Sequence, residues 1–302
     1  MSRFIMEVEM AGDSIDNVAF IGLGVMGYPM AGHMARAGLA LTVFNRTTAK
    51  AESWISRYGG RMAATPREAA LGADMVISCV GNDADLRAVT LGPDGAFAGM
   101  GKGTVFVDHS TVSVDLAREL YDTARASGFH FLDAPVSGGQ SGAEEARLSI
   151  MVGGDSDIFE RARPVMERYG RTVTYMGAPG SGQLAKMVNQ IAIAGLVQAL
   201  AEAMNFAMCA GLDTARVIEV VSKGAAGSWQ MDNRAKTMVQ GKYDFGFAVD
   251  WMRKDLQICL DEARRNGAAL PVTAIVEQFY GRLQEKGCGR LDSSSLMKLL
   301  SE

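Results

Sequence analysis

The sequence predicts an α/β protein in which a doubly wound, mostly parallel sheet is joined by a long helix to an all-α C-terminal domain. Short β-rich runs alternate with helical stretches between residues 17 and 178. Beyond residue 178 the strand signal nearly vanishes and helical periodicity continues to the end. A Gly-x-Gly-x-x-Gly pattern follows the first strand, as is typical of a Rossmann domain.

Seven short apolar runs of the N-terminal half are predicted as buried strands. They are residues 18–22, 41–45, 75–80, 104–108, 129–133, 148–154 and 172–177. Helical segments such as 114–126 and 158–169 lie between them, which indicates a sheet covered on both faces. Residues 17–178 are therefore predicted as a nucleotide-binding Rossmann domain, and residues 1–16 as an N-terminal extension.

The C-terminal half is predicted to be helical throughout. Its expected helices are residues 182–210, 213–223, 232–240, 248–267, 272–286 and 293–300. The first has about 28 residues and would span about 42 Å, which is long enough for one helix to be shared by two domains. Gln198, Glu202 and Asn205 lie within it and argue against a membrane span. Residues 179–302 are predicted as a helical substrate and oligomerisation domain.

The composition excludes several classes of function. The 302 residues carry a net charge of −4 with no basic block, which disfavours a nucleic-acid surface. The four cysteines form no C-x-x-C pair and the three histidines show no ligand spacing, so neither a metal site nor a disulfide framework is expected. The first 16 residues lack the apolar core of a signal peptide. A soluble, cytoplasmic protein is expected.

The glycine pattern after the first strand predicts a dinucleotide site. Gly22 permits a tight turn, Gly24 lets the backbone approach a pyrophosphate, and Gly27 lets the helix pack on the strand. The backbone of Val25 and Met26, at the start of the following helix, would supply N–H groups to the phosphates. The alternative is a glycine-rich turn that serves only packing.

The end of the second strand favours NADP(H), with NAD(H) possible. An NAD-selective site commonly places Asp or Glu there to hold the ribose 2′-OH, whereas this chain has Asn45, followed by Arg46 and Thr47. Asn45 would not repel a 2′-phosphate, and Arg46 could pair with it through its planar guanidinium. The alternative is a solvated arginine and loose selectivity.

A second glycine-containing loop is a candidate anion site. Ser137, Gly138 and Gly139 follow a predicted strand, where successive N–H groups and a hydroxyl suit a substrate carboxylate. A nucleophilic serine is disfavoured because the sequence is not G-x-S-x-G and no histidine stands as its base. A loop that only turns the chain remains the alternative.

Three polar side chains share one face at the start of the long apolar helix. At about 100° per residue, Asn189 lies about 60° to one side of Lys186 and Gln190 about 40° to the other, while Met187 and Val188 cover much of the rest. A solvated helix edge explains this face equally well. A lysine beside a cleft could instead act as general acid on a carbonyl oxygen.

Four motifs in order resemble the β-hydroxyacid dehydrogenase family. They are GLGVMGYPMA (22–31), DAPVSGG (133–139), GQLAKMVNQ (182–190) and RKDL (253–256). The resemblance implies a homodimer or homotetramer acting on a small carboxylate-bearing hydroxyacid or semialdehyde. It implies Lys186 as acid/base, Ser137 and Gly138 at the substrate carboxylate, and the residues lining the nicotinamide side of the cofactor, namely Val80, Gly81, Thr111 and Lys254.

The finer resemblance favours a tartronate semialdehyde reductase. The K-x-x-N-Q form of residues 186–190 and the stretch 224–229 are similar to such enzymes. A 3-hydroxyisobutyrate dehydrogenase and a glyoxylate/succinic semialdehyde reductase are the alternatives, and a non-catalytic NADPH-binding protein is the alternative from a different class. Gly81 stands where many members have Pro, and Asp85 where some have a cofactor-contacting Asn.

Overall fold

The computed structural model describes residues 15–300 of the chain. Of the predicted extension 1–16, all but Ile15 and Asp16 lie outside the described residues. A layered α/β part runs to the end of its last strand at Gly177, and a helical part begins at Ser181. The predicted fold class is confirmed by this arrangement.

One sheet of nine strands lies at the centre of the layered part within residues 15–300. The strands are β1 (Asn17–Ile21), β2 (Ala40–Phe44), β3 (Arg61–Met62), β4 (Met75–Ser78), β5 (Val105–Asp108), β6 (His130–Asp133), β7 (Val136–Ser137), β8 (Leu148–Gly153) and β9 (Gly170–Gly177). Their spatial order is β3-β2-β1-β4-β5-β6-β8-β7, with β9 paired to β8. The first six are parallel, whereas β8 runs antiparallel to β6 and β7.

Twelve α-helices complete the described residues. They are α1 (Gly27–Arg36), α2 (Thr48–Tyr58), α3 (Pro66–Ala70), α4 (Asp83–Thr90), α5 (Val114–Ser127), α6 (Gly139–Glu144), α7 (Ser156–Met166), α8 (Ser181–Cys209), α9 (Thr214–Val221), α10 (Trp229–Val239), α11 (Val249–Asn266) and α12 (Pro271–Glu285). Several begin where the sequence offers a side-chain oxygen to the first free N–H groups, as at Asn82, Ser113, Asp213 and Ser228.

Two apolar cores cover the two faces of the sheet. Side chains of α1, α2, α6 and α7 fill one face, and those of α3, α4 and α5 fill the other. The inner strands β4 and β5 are buried along their whole length, as expected of parallel strands covered on both sides. The strand order reverses direction between β1 and β4, and in doubly wound sheets ligands bind at that crevice.

The third core is built around α8, which packs against β8 and β9 and also against α10, α11 and α12. By length and composition α8 could cross a bilayer, but core helices of soluble proteins meet the same criterion. Here α8 lies between a sheet and other helices, and it buries Lys186, Gln190 and Gln198. Its apolar character is therefore explained by its place between two packed layers.

The structure corrects several expectations about individual elements. The strands β3 and β7 were not predicted, since two residues are too few to show a strand period. Ser137 lies within β7, paired with Ser149 of β8, rather than in a loop after a strand. The expected last helix is a 3₁₀ helix, Ser293–Leu299. Val188 is 68% exposed instead of packed.

A buried carboxylate fixes the start of α8 on the sheet. Asp133, at the end of β6, accepts hydrogen bonds from the N–H of Gly180 at 2.8 Å and of Gln183 at 2.9 Å. Gly182 makes this approach possible, because a Cβ there would lie 2.4 Å from the carbonyl oxygen of Met151 and 2.6 Å from that of Asp133. The first turn of α8 thus lies directly on the backbone of β6 and β8.

Replacing Gly182 with Ala is expected to lower the free energy of unfolding by about 2 kcal/mol or more, because backbone atoms must move apart. The matched control is Gly195→Ala in the same helix, where a Cβ meets only Val272 Cγ1 at 3.5 Å. That variant is expected to gain about 0.5–1 kcal/mol from helix propensity. Urea unfolding of both variants measures the difference, and equal effects would contradict the close approach at Gly182.

Candidate active site

The glycine turn after β1 forms an open cradle at the crevice. Gly22 has φ +97°, and a Cβ there would lie 2.3 Å from the carbonyl oxygen of Cys79. A Cβ at Gly27 would lie 2.0 Å from the carbonyl oxygen of Gly22, so α1 packs directly on the turn. Gly24 faces open space, and α1 begins after Met26 without a side-chain cap. The free N–H groups of this helix start suit a pyrophosphate.

Asn45 supports the same turn from the neighbouring strand. Its Oδ1 accepts a hydrogen bond from the N–H of Leu23 at 2.9 Å, and its Nδ2 donates to the carbonyl oxygen of Thr47 at 2.9 Å. Thr47 precedes α2 but makes no side-chain cap to it, and the first turn of α2 has no acidic residue. The end of β2 therefore presents an uncapped helix start beside the crevice.

The loops after β4 and β5 are held by a buried polar network. Asp108 Oδ1 accepts hydrogen bonds from Ser78 Oγ at 2.6 Å and from Ser110 Oγ at 2.7 Å. Ser110 Oγ in turn accepts the N–H of Val80 at 2.9 Å. Asp108 Oδ2 has no hydrogen-bond partner. Burial, together with the nearby charge of Asp133, raises the pKa of Asp108 to about 7, although the hydrogen bonds from the two serines lower it.

Lys254 of α11 connects the helical part to the loop after β5. Its ammonium donates to the carbonyl oxygen of Thr111 and lies 2.9 Å from Asp255 Oδ1. The ring of Trp251, one turn earlier, lies against Gly81, where a Cβ would come within 2.8 Å of it. The residues that the resemblance places on the nicotinamide side thus meet along one border between the two parts of the chain.

Lys186 lies in the second turn of α8, close enough to Lys254 and Asp255 for their charges to act on it. Its ammonium donates a hydrogen bond to the carbonyl oxygen of Val136 at 2.8 Å, and its side chain is 8% exposed. Burial lowers the pKa of Lys186, Asp255 raises it and Lys254 lowers it. Removal from water disfavours the charged amine, so its proton is more easily released than that of a solvated lysine.

A chain of hydrogen bonds joins β7, α8 and α11 around the lysine. Ser137 Oγ donates to Asn189 Oδ1 at 3.2 Å, and Asn189 Nδ2 donates to Gln190 Oε1 at 2.7 Å. Gln190 Nε2 then donates to Asp255 Oδ2 at 2.7 Å. Gly138 and Gly139 follow Ser137 with φ values of +134° and +63°, and Gly139 faces open space. The predicted substrate residues are brought together beside Lys186.

The interpretation of residues 186–190 as a solvated edge is wrong for two of the three side chains. Lys186 and Gln190 are 8% and 3% exposed, and only Asn189 is partly open to solvent. Among the residues expected at the cofactor, Arg46 pairs with Asp85, at 3.0 Å. This pairing was not expected from the sequence.

Sequence reasoning missed three buried carboxylates that hold the site together: Asp108, Asp133 and Asp255. A signal existed for the first two, because each ends an otherwise apolar strand, in TVFVD and FHFLD. An acid at the carboxyl end of a buried strand lies at the ligand-binding edge and needs a partner there. Asp255 stands next to Lys254 in the RKDL segment, but its bond to Gln190 spans 65 positions.

Asp108→Asn is expected to change how stability depends on pH. The folded chain holds a proton on Asp108 up to about pH 7, whereas the unfolded chain releases it near the ordinary value of 3.8. Wild-type stability therefore carries a contribution that falls as pH rises through this window, and Asn removes it. From pH 5 to pH 8, the variant should gain about 1 kcal/mol or more relative to wild type in urea unfolding.

The control for this prediction is Asp122→Asn, at an exposed position of α5. Its difference from wild type should stay constant over the same pH range. A constant difference for Asp108→Asn as well would mean that Asp108 is already ionised at pH 5 in the folded protein.

Two family models cover nearly all of the described chain. A model of the NAD-binding domain of 6-phosphogluconate dehydrogenase matches residues 17–177. A model described as the NAD-binding part of NADP-dependent 3-hydroxyisobutyrate dehydrogenase matches residues 180–300. Both models name a nicotinamide cofactor, which agrees with the open glycine cradle at the sheet edge.

Curated relatives and a solved structure show the same likeness over full length. An uncharacterized oxidoreductase of Shewanella frigidimarina is 58% identical over 94% of this chain and 98% of its own. The 2-hydroxy-3-oxopropionate reductase of Escherichia coli is 35% identical over 94% and 96%. The structure of Mycobacterium tuberculosis 3-hydroxyisobutyrate dehydrogenase with L-serine is 31% identical, has a TM-score of 0.86, and covers 96% of this chain and 100% of its own.

The matches span both the sheet and the helical part, and they agree with the order of the four motifs. The matched models name NAD or NADP as cofactor, and the matched proteins are named as dehydrogenases or reductases of small hydroxyacids and their oxo forms. The chain belongs to the β-hydroxyacid dehydrogenase family and is an NAD(P)-dependent oxidoreductase.

Proposed function

We propose that this protein is an NADP(H)-dependent reductase or dehydrogenase that interconverts a small semialdehyde and its β-hydroxyacid. The observation that carries the proposal is the placement of Lys186. Its ammonium is buried against the carbonyl oxygen of Val136, the residue before Ser137, and it lies within range of the charge of Lys254, which holds the loop after β5 through Thr111. A lysine in this position is suited to exchange a proton with a substrate oxygen.

A nicotinamide cofactor in this crevice would supply the hydride for reduction and would accept it in oxidation. Lys186 balances this transfer of two electrons with a proton: its ammonium protonates the carbonyl oxygen during reduction, and its neutral amine takes the hydroxyl proton during oxidation. One N–H is used by Val136, which leaves two for the substrate oxygen. The lowered pKa of Lys186 makes its ammonium a stronger acid for reduction, and it raises the share of neutral amine that can accept the proton in oxidation.

Ser137, Gly138 and Gly139 hold the substrate carboxylate in this proposal. Open space beside Gly139 admits an anion next to the backbone. The amide of Asn189 joins Ser137 to Gln190, so the loop and the lysine helix keep a constant spacing. Such positioning matters because the hydroxyl carbon must stay aligned while the proton moves.

The preference for NADP(H) over NAD(H) rests on the end of β2. Asn45 uses its amide to hold the backbone of Leu23 and Thr47, and position 45 itself brings no carboxylate to the end of β2. The guanidinium of Arg46 is 87% exposed, and α2 begins beside it without an acid in its first turn. Both features favour a dianionic group at this edge.

Tartronate semialdehyde, that is 2-hydroxy-3-oxopropionate, is the favoured substrate. The support is the Lys186–Gln190 segment and the 35% identity to the Escherichia coli reductase of that compound. The L-serine in the Mycobacterium tuberculosis structure favours a second candidate, a 3-hydroxyacid with a polar substituent. A non-catalytic NADPH-binding protein is disfavoured because it would not need the buried lysine.

The direct test is NADPH oxidation, with NADH in parallel, against tartronate semialdehyde, methylmalonate semialdehyde, succinic semialdehyde and glyoxylate. The highest kcat/KM is expected with NADPH and tartronate semialdehyde. NADPH binding by calorimetry without turnover of any of the four would contradict the proposed reaction.

Lys186→Ala is expected to lower kcat by about 100-fold or more, because the substrate oxygen loses its proton donor. NADPH affinity, measured by calorimetry, should stay within about threefold of wild type. For the wild type, kcat/KM of reduction should fall as pH rises through a pKa below 10.5, the ordinary value of lysine. Lys236→Ala, at an exposed position of α10, is the control; more than a tenth of wild-type turnover in Lys186→Ala would remove the proposed role.

Arg46→Gln is expected to weaken NADPH about tenfold and NADH by less than about twofold, since only NADPH carries the 2′-phosphate. Dissociation constants from calorimetry measure both effects. Arg171→Gln, at an exposed position of β9, controls for the change in net charge. Equal weakening of the two cofactors would show that Arg46 does not read the 2′-phosphate.

A further inference from the structure

An ion pair crosses the nucleotide crevice from the end of β2 to the start of α4. Arg46 follows β2 and Asp85 lies in the first turn of α4, just after β4. Because β2 and β4 pair with opposite edges of β1, a contact between these residues spans the turn that follows β1. Arg46 Nη1 lies 3.0 Å from Asp85 Oδ1. The guanidinium proposed to read the 2′-phosphate therefore already has an anionic partner.

The two side chains of this ion pair differ in their exposure to solvent. The side chain of Arg46 is 87% exposed, whereas that of Asp85 is 28% exposed. The Asp85 N–H donates to Asn82 Oδ1 at 2.8 Å, which fixes the backbone that carries the carboxylate. An exposed arginine can swing away from its partner, whereas the backbone that carries the less exposed carboxylate is held at the start of α4.

Gly81 gives Asp85 this position. A Cβ on residue 81 would lie 2.9 Å from Asp85 Oδ2 and 2.8 Å from the ring of Trp251. Glycine at position 81 and aspartate at position 85 are thus sterically linked, since any larger residue at 81 would press on the carboxylate.

We propose that Asp85 is a specificity-determining residue that competes with the cofactor 2′-phosphate for Arg46 and thereby reduces the preference for NADP(H) over NAD(H). This inference rests on the proposed role of Arg46. The opposite effect, in which Asp85 holds Arg46 ready for the phosphate, is the weaker one. Ordering an exposed arginine contributes little, whereas pairing with the 2′-phosphate requires Arg46 to give up its ion pair with Asp85 Oδ1.

Binding of 2′,5′-ADP and 5′-AMP to the full chain tests the proposal without any catalytic step. These probes share the adenosine and differ in the 2′-phosphate. Asp85→Asn is expected to tighten 2′,5′-ADP about threefold to tenfold and to change 5′-AMP by less than about twofold, measured by calorimetry. Glu160→Gln, which removes one exposed acid of α7, should leave both affinities unchanged.

Two further variants separate this inference from the role of Arg46. In the Arg46→Gln background, Asp85→Asn should give less than half of its effect, expressed as a logarithm of the fold-change. If Asp85→Asn weakens 2′,5′-ADP or leaves it unchanged while Arg46→Gln weakens it, the competition is wrong and the role of Arg46 stands. If Arg46→Gln leaves 2′,5′-ADP unchanged, the proposed role of Arg46 fails, and the competition fails with it.

Discussion

The carboxylate of Asp133 at the start of α8 is the contact on which the rest of the site depends. It accepts N–H groups of Gly180 and Gln183 from a strand end that is itself buried. A negative charge at a helix N-terminus meets the unpaired N–H groups and the positive end of the helix dipole. The small residues Gly153 and Gly182 leave room for it. Lys186 lies one turn further along, so its height above the sheet follows from this contact.

A lysine buried at this place must be compensated, because removal of an ammonium from water is costly. The ammonium of Lys186 donates one hydrogen bond to the carbonyl oxygen of Val136. The negative charge of Asp255, on α11, also stabilises the protonated form of Lys186. Asp255 also holds Gln190, so the same carboxylate orders the polar face of α8 and stabilises its lysine. The low exposure and the lowered pKa of Lys186 thus have one structural origin, its burial where α8 packs against both α11 and β7.

The sequence predicted the order of strands and helices and the open glycine turn, since these depend on local periodicity and on backbone freedom. It could not predict β7 or the pairing of Ser137 with α8, which depend on contacts between distant segments. The sequence predicted only that Asn45, being uncharged, would not repel a 2′-phosphate. In the structure its amide also forms hydrogen bonds with the backbone of Leu23 and Thr47. The ion pair between Arg46 and Asp85 could not be predicted, because the two residues are 39 positions apart in the sequence. The motifs thus predicted which side chains belong to the site, whereas the hydrogen bonds and ion pairs among them depend on the tertiary structure.

The length of α8 has a consequence for how the molecule comes apart. Its first turn belongs to the sheet through Asp133, while residues further along, such as Val197 and Met204, belong to the core of the helical part. Melting of either core removes packing from a helix that the other core shares. The sheet part and the helical part are therefore expected to unfold together as one cooperative unit and not as two independent domains. Protection of α8 amides from hydrogen exchange would then report the stability of the whole chain.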